Sequence, residues 1–193
     1  MEDFIISKSS PSISCSDGGC KKFERFIKNV YNDFTDVKFI EAEACYWNPY
    51  ENEVGFVALV DDRNWQVLAI LLLHELAHAK LGHKEYDFDM ELIDMEVEAW
   101  GLVEDELAQM YNLDFDRQIA QQRLDTYQAW LLERSKCPSC DAYGYQQPDF
   151  EYLCLQCRKA WKPNDNRFKH IRKKESEAKP IFCDFGAFDK LLK

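Results

Sequence analysis

Apolar and polar positions follow several different rhythms along this chain. Phe23, Phe26, Ile27 and Val30 recur among charged residues at helical spacing and predict a helix over 21–31. Residues 37–47 (VKFIEAEACYW) alternate in part and read as a strand, which Asn48-Pro49 breaks. Residues 55–60 read as a second strand closed by Asp61-Asp62, so an antiparallel pair is expected. The run Val67-Leu68-Ala69-Ile70-Leu71-Leu72-Leu73 reads as a helix buried on most faces, with Asn64 as a candidate N-cap and Gly82 as a stop. Leu92, Met95, Ala99, Leu102 and Val103 follow helical spacing and predict a second helix that packs on it. From Leu102 to Arg134 there is neither Pro nor Gly, and Asn112-Leu113-Asp114 is expected to split this helical connector in two. Beyond it, Tyr143-Gly144-Tyr145, Phe150-Glu151-Tyr152 and Trp161 supply short aromatic strands.

The buried helix ends in His74-Glu75-Leu76-Ala77-His78, an HExxH match. Residues four apart lie on one face of a helix, so both imidazoles can reach one zinc ion at about 2.0–2.1 Å. Glu75 sits between them in sequence and can act as general base on an activated water. A tetrahedral site with one open position needs a third protein ligand. An HExxHxxGxxH pattern would place its glycine one position earlier than Gly82 and its histidine one later than His83. His83 therefore reads as a polar residue at the helix end. Glu96 and Glu98 on the next helix are the better candidates. Two residues apart, they point in different directions, so one would be ligand and the other a solvated carboxylate.

Cys137-Pro138-Ser139-Cys140 and Cys154-Leu155-Gln156-Cys157 are two CxxC knuckles with 13 residues between them. Paired knuckles read as a four-cysteine zinc ribbon, with no open position and hence a structural role. A metal can hold a segment too small to build its own core.

Charge divides the chain near the same place. The whole chain carries −11. Residues 134–193 hold 13 Lys/Arg against 8 Asp/Glu, net +5, while residues 1–133 hold 11 against 27, net −16. The basic stretch includes Arg158, Lys159, Lys162, Arg167, Lys169 and Arg172–Lys174, and could meet phosphate backbone; the plainer reading is a solvated tail. No apolar leader or membrane-length run is expected, and thiolate ligands with spare Cys15, Cys20, Cys45 and Cys183 suit a reducing cytoplasm.

HELAHAKLGH followed by Glu96-Val97-Glu98-Ala99 resembles the ImmA/IrrE-like zinc metallopeptidases, over roughly residues 20–110. The resemblance implies an intracellular gluzincin-type peptidase, with Glu96 as third ligand and Ala99 as the small residue where the helices meet. The chain has Trp100 where the family often has Asn, so Glu98 stays as the alternative. The peptidase-then-ribbon order also resembles SprT-like proteases, which act on DNA-bound proteins through a third histidine absent here at comparable spacing.

The expected fold is α+β. A mobile segment (1–20) precedes a zincin-like domain with a short antiparallel sheet and helical extension (21–133), a zinc ribbon (134–165) and a basic tail with aromatic end (166–193). The expected function is zinc-dependent hydrolysis of peptide bonds in a protein substrate. Glu75 is the base; His74, His78 and Glu96 hold a catalytic zinc; Cys137, Cys140, Cys154 and Cys157 hold a structural one. Tyr46, Tyr86 and His83 are candidates for oxyanion support. The alternative is a silent zincin-like scaffold that binds nucleic acid or a protein through the ribbon and tail, with no membrane contact.

Overall fold

The computed structural model describes residues 18–58, 63–165 and 170–176. Most of the expected mobile segment lies outside the described residues. So do Asp61 and Asp62, Arg167, Lys169, Cys15, Cys183, and the end of the chain from 177. The fold is mixed α+β and divides into two compact units, one reaching Tyr86 and resuming over Glu91–Leu124, the other formed by Asp87–Met90 and the chain from Asp125.

In the first unit, α1 (Gly18–Asp33) turns Phe23, Phe26, Ile27 and Val30 inward, as their spacing demands. Three strands follow: β1 (Lys38–Glu41), β2 (Tyr46–Asn48) and β3 (Glu53–Phe56). The expected antiparallel pair is corrected here. The stretch 37–47 holds two strands, and β3 begins at Glu53 rather than Gly55 and ends at Phe56. The order is β1-β3-β2, with β1 parallel and β2 antiparallel to central β3. Alternation marks which residues are extended, but it does not say on which side of β3 each strand lies. Asn48 makes the turn by accepting the Tyr50 N–H at 3.1 Å, and Asn52 closes it at φ 49°.

Helix α2 (Trp65–Leu81) carries apolar residues all round, and Ile70, Leu72, Leu73 and Leu76 are fully buried. Each such burial is worth roughly 1.5–3 kcal/mol. Asn64 takes the N-cap position, but its side chain makes no cap bond. The other end is a Schellman motif: Gly82 adopts φ 72°, its N–H bonds Ala79 O at 3.1 Å, and the His83 N–H bonds His78 O at 3.0 Å. Helix α3 (Asp89–Leu102) continues through a π-helical turn, Val103–Leu107, into a last short turn, α4 (Ala108–Met110). Asn112 (φ 52°) ends it, at the expected break, before α5 (Arg117–Ser135).

The second unit holds a four-stranded antiparallel sheet: β4 (Gly144–Gln146), β5 (Tyr152–Cys154), β6 (Ala160–Pro163) and β7 (Lys173–Ser176), in that order. Glu175 pairs with Trp161 across β6 and β7. Tyr152 and Trp161 stack with centroids 5.7 Å apart and fill the small core beside Cys137 and Cys154. Gly144 is required there, since a Cβ would lie 2.5 Å from the Trp161 ring. Asp89, fully buried, accepts Arg134 Nε at 2.5 Å and the Tyr152 hydroxyl at 2.6 Å, so its charge is paired and its oxygens are bonded.

Candidate metal centres

His74 and His78 sit one turn apart on α2, and Glu96 comes from α3. All three are buried, and their donor atoms lie within 4.8 Å of one another. His74 Nε2 stands 3.1 Å from His78 Nε2 and 3.0 Å from Glu96 Oε2; His78 Nε2 stands 3.6 Å from Glu96 Oε1. Donors about 2.05 Å from a tetrahedral ion are about 3.3 Å apart, so this trio can hold a metal ion. Glu98 is elsewhere: its side chain is 64% exposed against 7% for Glu96, and Oε2 lies 3.2 Å from His83 Nε2.

The protonation states suit coordination. Burial lowers the His74 pKa, against the pull of Glu96, and favours a neutral ring. Burial alone would raise Glu96, but hydrogen bonds from His74 and His78 outweigh it and hold the carboxyl well below the usual range. Glu75, half-buried, is pushed up to about 7 by desolvation, opposed by its electrostatic interaction with His78 and by a bond from the Trp47 backbone. Trp47 is on edge strand β2, so the sheet places a donor on the carboxylate beside the two histidines.

Trp100, Arg123 and Cys45 complete the surroundings, and of these only Arg123 carried no signal in the sequence. Trp100 stacks on His74, with centroids 4.0 Å apart and planes 19° apart. His74 Nδ1 and Trp100 Nε1 are both buried without a hydrogen-bond partner among the described residues. The ring is therefore held by a flat aromatic face. Arg123 on α5 adds positive potential at Glu75 and His74. Cys45 is a free thiol whose burial pushes its pKa up to about 11, whereas Cys20 is disulfide-bonded. Of the candidate oxyanion groups, the Tyr46 hydroxyl donates to Glu53 at 2.7 Å, His83 contacts His78, and Tyr86 lies half-buried between α2 and α3.

The second cluster brings together Cys137, Cys140, Cys154 and Cys157. Cys137 Sγ lies 3.5 Å from Cys157 Sγ, and Cys140 Sγ 3.5 Å from Cys154 Sγ. Four thiolates at about 2.3 Å from one ion would stand about 3.8 Å apart, so modest expansion admits a metal. The two knuckles share their closing turn bond but differ in which N–H faces the first sulfur. Ser139 N–H faces Cys137 Sγ and Cys157 N–H faces Cys154 Sγ, both at 3.5 Å. Asp141 N–H bonds Cys137 O and Arg158 N–H bonds Cys154 O; both closing residues take positive φ, 59° and 64°. Burial would raise Cys154, but the backbone N–H groups of Cys157 and Gln156 outweigh it and bring the thiol down to about 6.

No protein-family model, curated protein or solved structure matches the chain. What the clusters do must be argued from their chemistry.

Proposed function

We propose that the chain is a zinc-dependent peptidase of zincin-like fold, related to the ImmA/IrrE-like metallopeptidases, with a structural zinc in its cysteine cluster. The observation that carries this reading is the meeting of His74 Nε2, His78 Nε2 and the Glu96 carboxylate, with Glu75 desolvated beside them. Three nitrogen and oxygen donors with one position left open suit catalytic zinc, and four sulfurs suit structural zinc. Zinc in the first cluster would lower the pKa of a water and polarise a peptide carbonyl. Glu75 is the group placed to take the proton of the attacking water and pass it to the departing amine. Its pKa near 7 matches that task better than an ordinary carboxylate would. The substrate is a protein or peptide. Among the described residues no helix is long and apolar enough to cross a membrane, and the proposed location is the cytoplasm.

A second reading, a silent scaffold that binds nucleic acid, draws on one feature of the ribbon sheet. Exposed Lys162 and Lys174 stand directly opposite each other across β6 and β7, and none of the described ion pairs engages either. Like charges so placed repel unless an anion such as phosphate lies between them.

The test is zinc content by native mass spectrometry together with hydrolysis of a peptide library. Two zinc ions per chain and cleavage lost in Glu75→Gln, with both ions kept, is the expected result. A folded, metal-replete chain that cleaves nothing, yet binds single-stranded DNA or RNA with steep salt dependence, would favour the scaffold.

A further inference from the structure

His78 turns its second ring nitrogen away from Glu96, toward His83. His78 Nδ1 and His83 Nδ1 are 2.9 Å apart, and His83 Nε2 is 3.2 Å from Glu98 Oε2. We propose that His83 is a positioning residue that, backed by Glu98, holds His78 in the tautomer whose Nε2 lone pair faces the metal position. This rests on the reading of His74, His78 and Glu96 as a metal site.

With a metal ion in the first cluster, proton accounting selects one arrangement. Two nitrogens at 2.9 Å need one proton between them. If His78 Nδ1–H donates to His83 Nδ1, then neutral His83 carries its proton on Nε2 and donates it to the Glu98 carboxylate. His78 Nε2 is left bare, facing His74 Nε2 and Glu96. In the reverse arrangement His83 donates to His78. Bare His83 Nε2 would then face a carboxylate, lone pair against lone pair, and His78 Nε2 would carry a proton into the cluster. The first assignment satisfies both contacts of His83 and leaves His78 Nε2 free for a metal; the second sets His83 Nε2 against Glu98 without a proton and puts a proton where the ligand lone pair must be.

The backbone explains how His83 comes to be there. Gly82 at φ 72° lets the chain turn back, and the His83 N–H caps His78 O. That motif usually sets an apolar contact between the same two positions; here it sets imidazole against imidazole. Trp47 Nε1–H donates to His83 O at 2.9 Å and holds the turn from the sheet side. A ligand histidine whose other nitrogen is so bonded is more basic and fixed in orientation, and loss of such a partner costs about 10–100-fold in metal affinity. Among the described residues His74 has no such partner on Nδ1, so the burden falls on His78.

The test uses the full chain with zinc. A chromophoric chelator in competition reads the affinity of the first cluster, and zinc kept in the cysteine cluster reports an intact second unit. His83→Ala is expected to weaken the first cluster about 10–100-fold. His83→Gln, whose amide can both accept from His78 and donate to Glu98, should restore most of the loss. In the zinc-loaded wild type, nitrogen NMR should give a protonated Nδ1 on His78 with scalar coupling to His83 Nδ1, which a merely space-filling residue would not produce. Wild-type affinity in folded His83→Ala, or a His78 Nδ1 without that coupling, overturns the inference and leaves the metal site standing. Zinc confined to the cysteine cluster in the wild type, unchanged by His74→Ala, removes the metal site and this inference with it.

Discussion

The two donor clusters are built on opposite principles. In the cysteine cluster each pair of sulfurs comes from one knuckle, whose backbone closes on itself through an N–H···S contact and the equivalent Asp141 and Arg158 turn bonds. The geometry is local and needs little core. In the histidine–glutamate cluster Glu96 is 22 residues from His74, on a different helix, and the two are brought together by tertiary packing, in which Trp100 of α3 stacks on His74 and Ala77, Ala99 and Trp100 share one buried core. The first is closed and uniform in donor. The second offers three donors of two kinds and is held in part by aromatic and imidazole neighbours. A donor cluster spaced by its own local turns and one assembled by tertiary packing thus stand in one chain.

Loss of a cysteine ligand should expose that contrast most sharply. Structural zinc in small domains contributes about 10–16 kcal/mol of apparent binding energy at neutral pH, and it counts toward folding. Cys154→Ser is therefore expected to abolish dispersed amide signals from β4–β7 and to leave those of α1 and α2 in place. Dispersed ribbon signals without metal would show that Tyr152, Trp161 and the Asp89–Arg134 pair suffice alone.

In the other cluster a ligand change should cost metal and not fold. Glu96→Ala is expected to lower zinc affinity by more than the 10–100-fold typical of an outer partner, with the thermal midpoint of the metal-free chain little changed. Glu98→Ala should cost only a small part of that, since exposed Glu98 acts through His83. Calorimetry with both variants checks the order; a reversed order would make Glu98 the ligand.

Glu75 sharpens the comparison through pH. Its folded-state pKa of about 7 lies above the 4.5 of an unperturbed glutamate. The folded state therefore holds a proton that the unfolded chain releases. That contribution to stability is complete below about pH 4.5 and is lost as pH rises through 7. In metal-free protein Glu75→Gln should pull ahead of wild type between pH 5 and 8. The gain has an upper bound of about 3 kcal/mol, because solvent reaches part of the half-buried side chain. Denaturant titrations at the two pH values read it, and a constant gap would mean that the carboxyl is as well solvated folded as unfolded.

The smallest effect concerns the turn after α2. Gly82→Ala meets no steric neighbour but forces φ 72° on a residue with a Cβ, at about 1 kcal/mol. Zinc affinity of the first cluster should fall with it if the turn aims His83, while the ribbon metal stays. Affinity unchanged at lowered stability would separate the turn from the site.

Much of this was legible before any coordinates. Four-residue spacing on a helix, and two-residue gaps between cysteines, determine local geometry, because 3.6 residues per turn and tight knuckle bonds leave few other arrangements. Phe23, Phe26, Ile27 and Val30 likewise declared the buried face of α1, and Gly82 the end of α2. What lies across space was not legible. Strand alternation could not tell that β1 would run parallel to β3, nor that Lys173–Ser176 would join the ribbon sheet. Spacing left Glu96 and Glu98 as equals; only the rotation of α3 against α2 set one on the histidines and the other at the surface. His83 looked like a polar helix end until a left-handed glycine folded it back on His78. Local bonds follow from neighbours in the chain, whereas packing angles and strand order depend on burial summed over the whole unit.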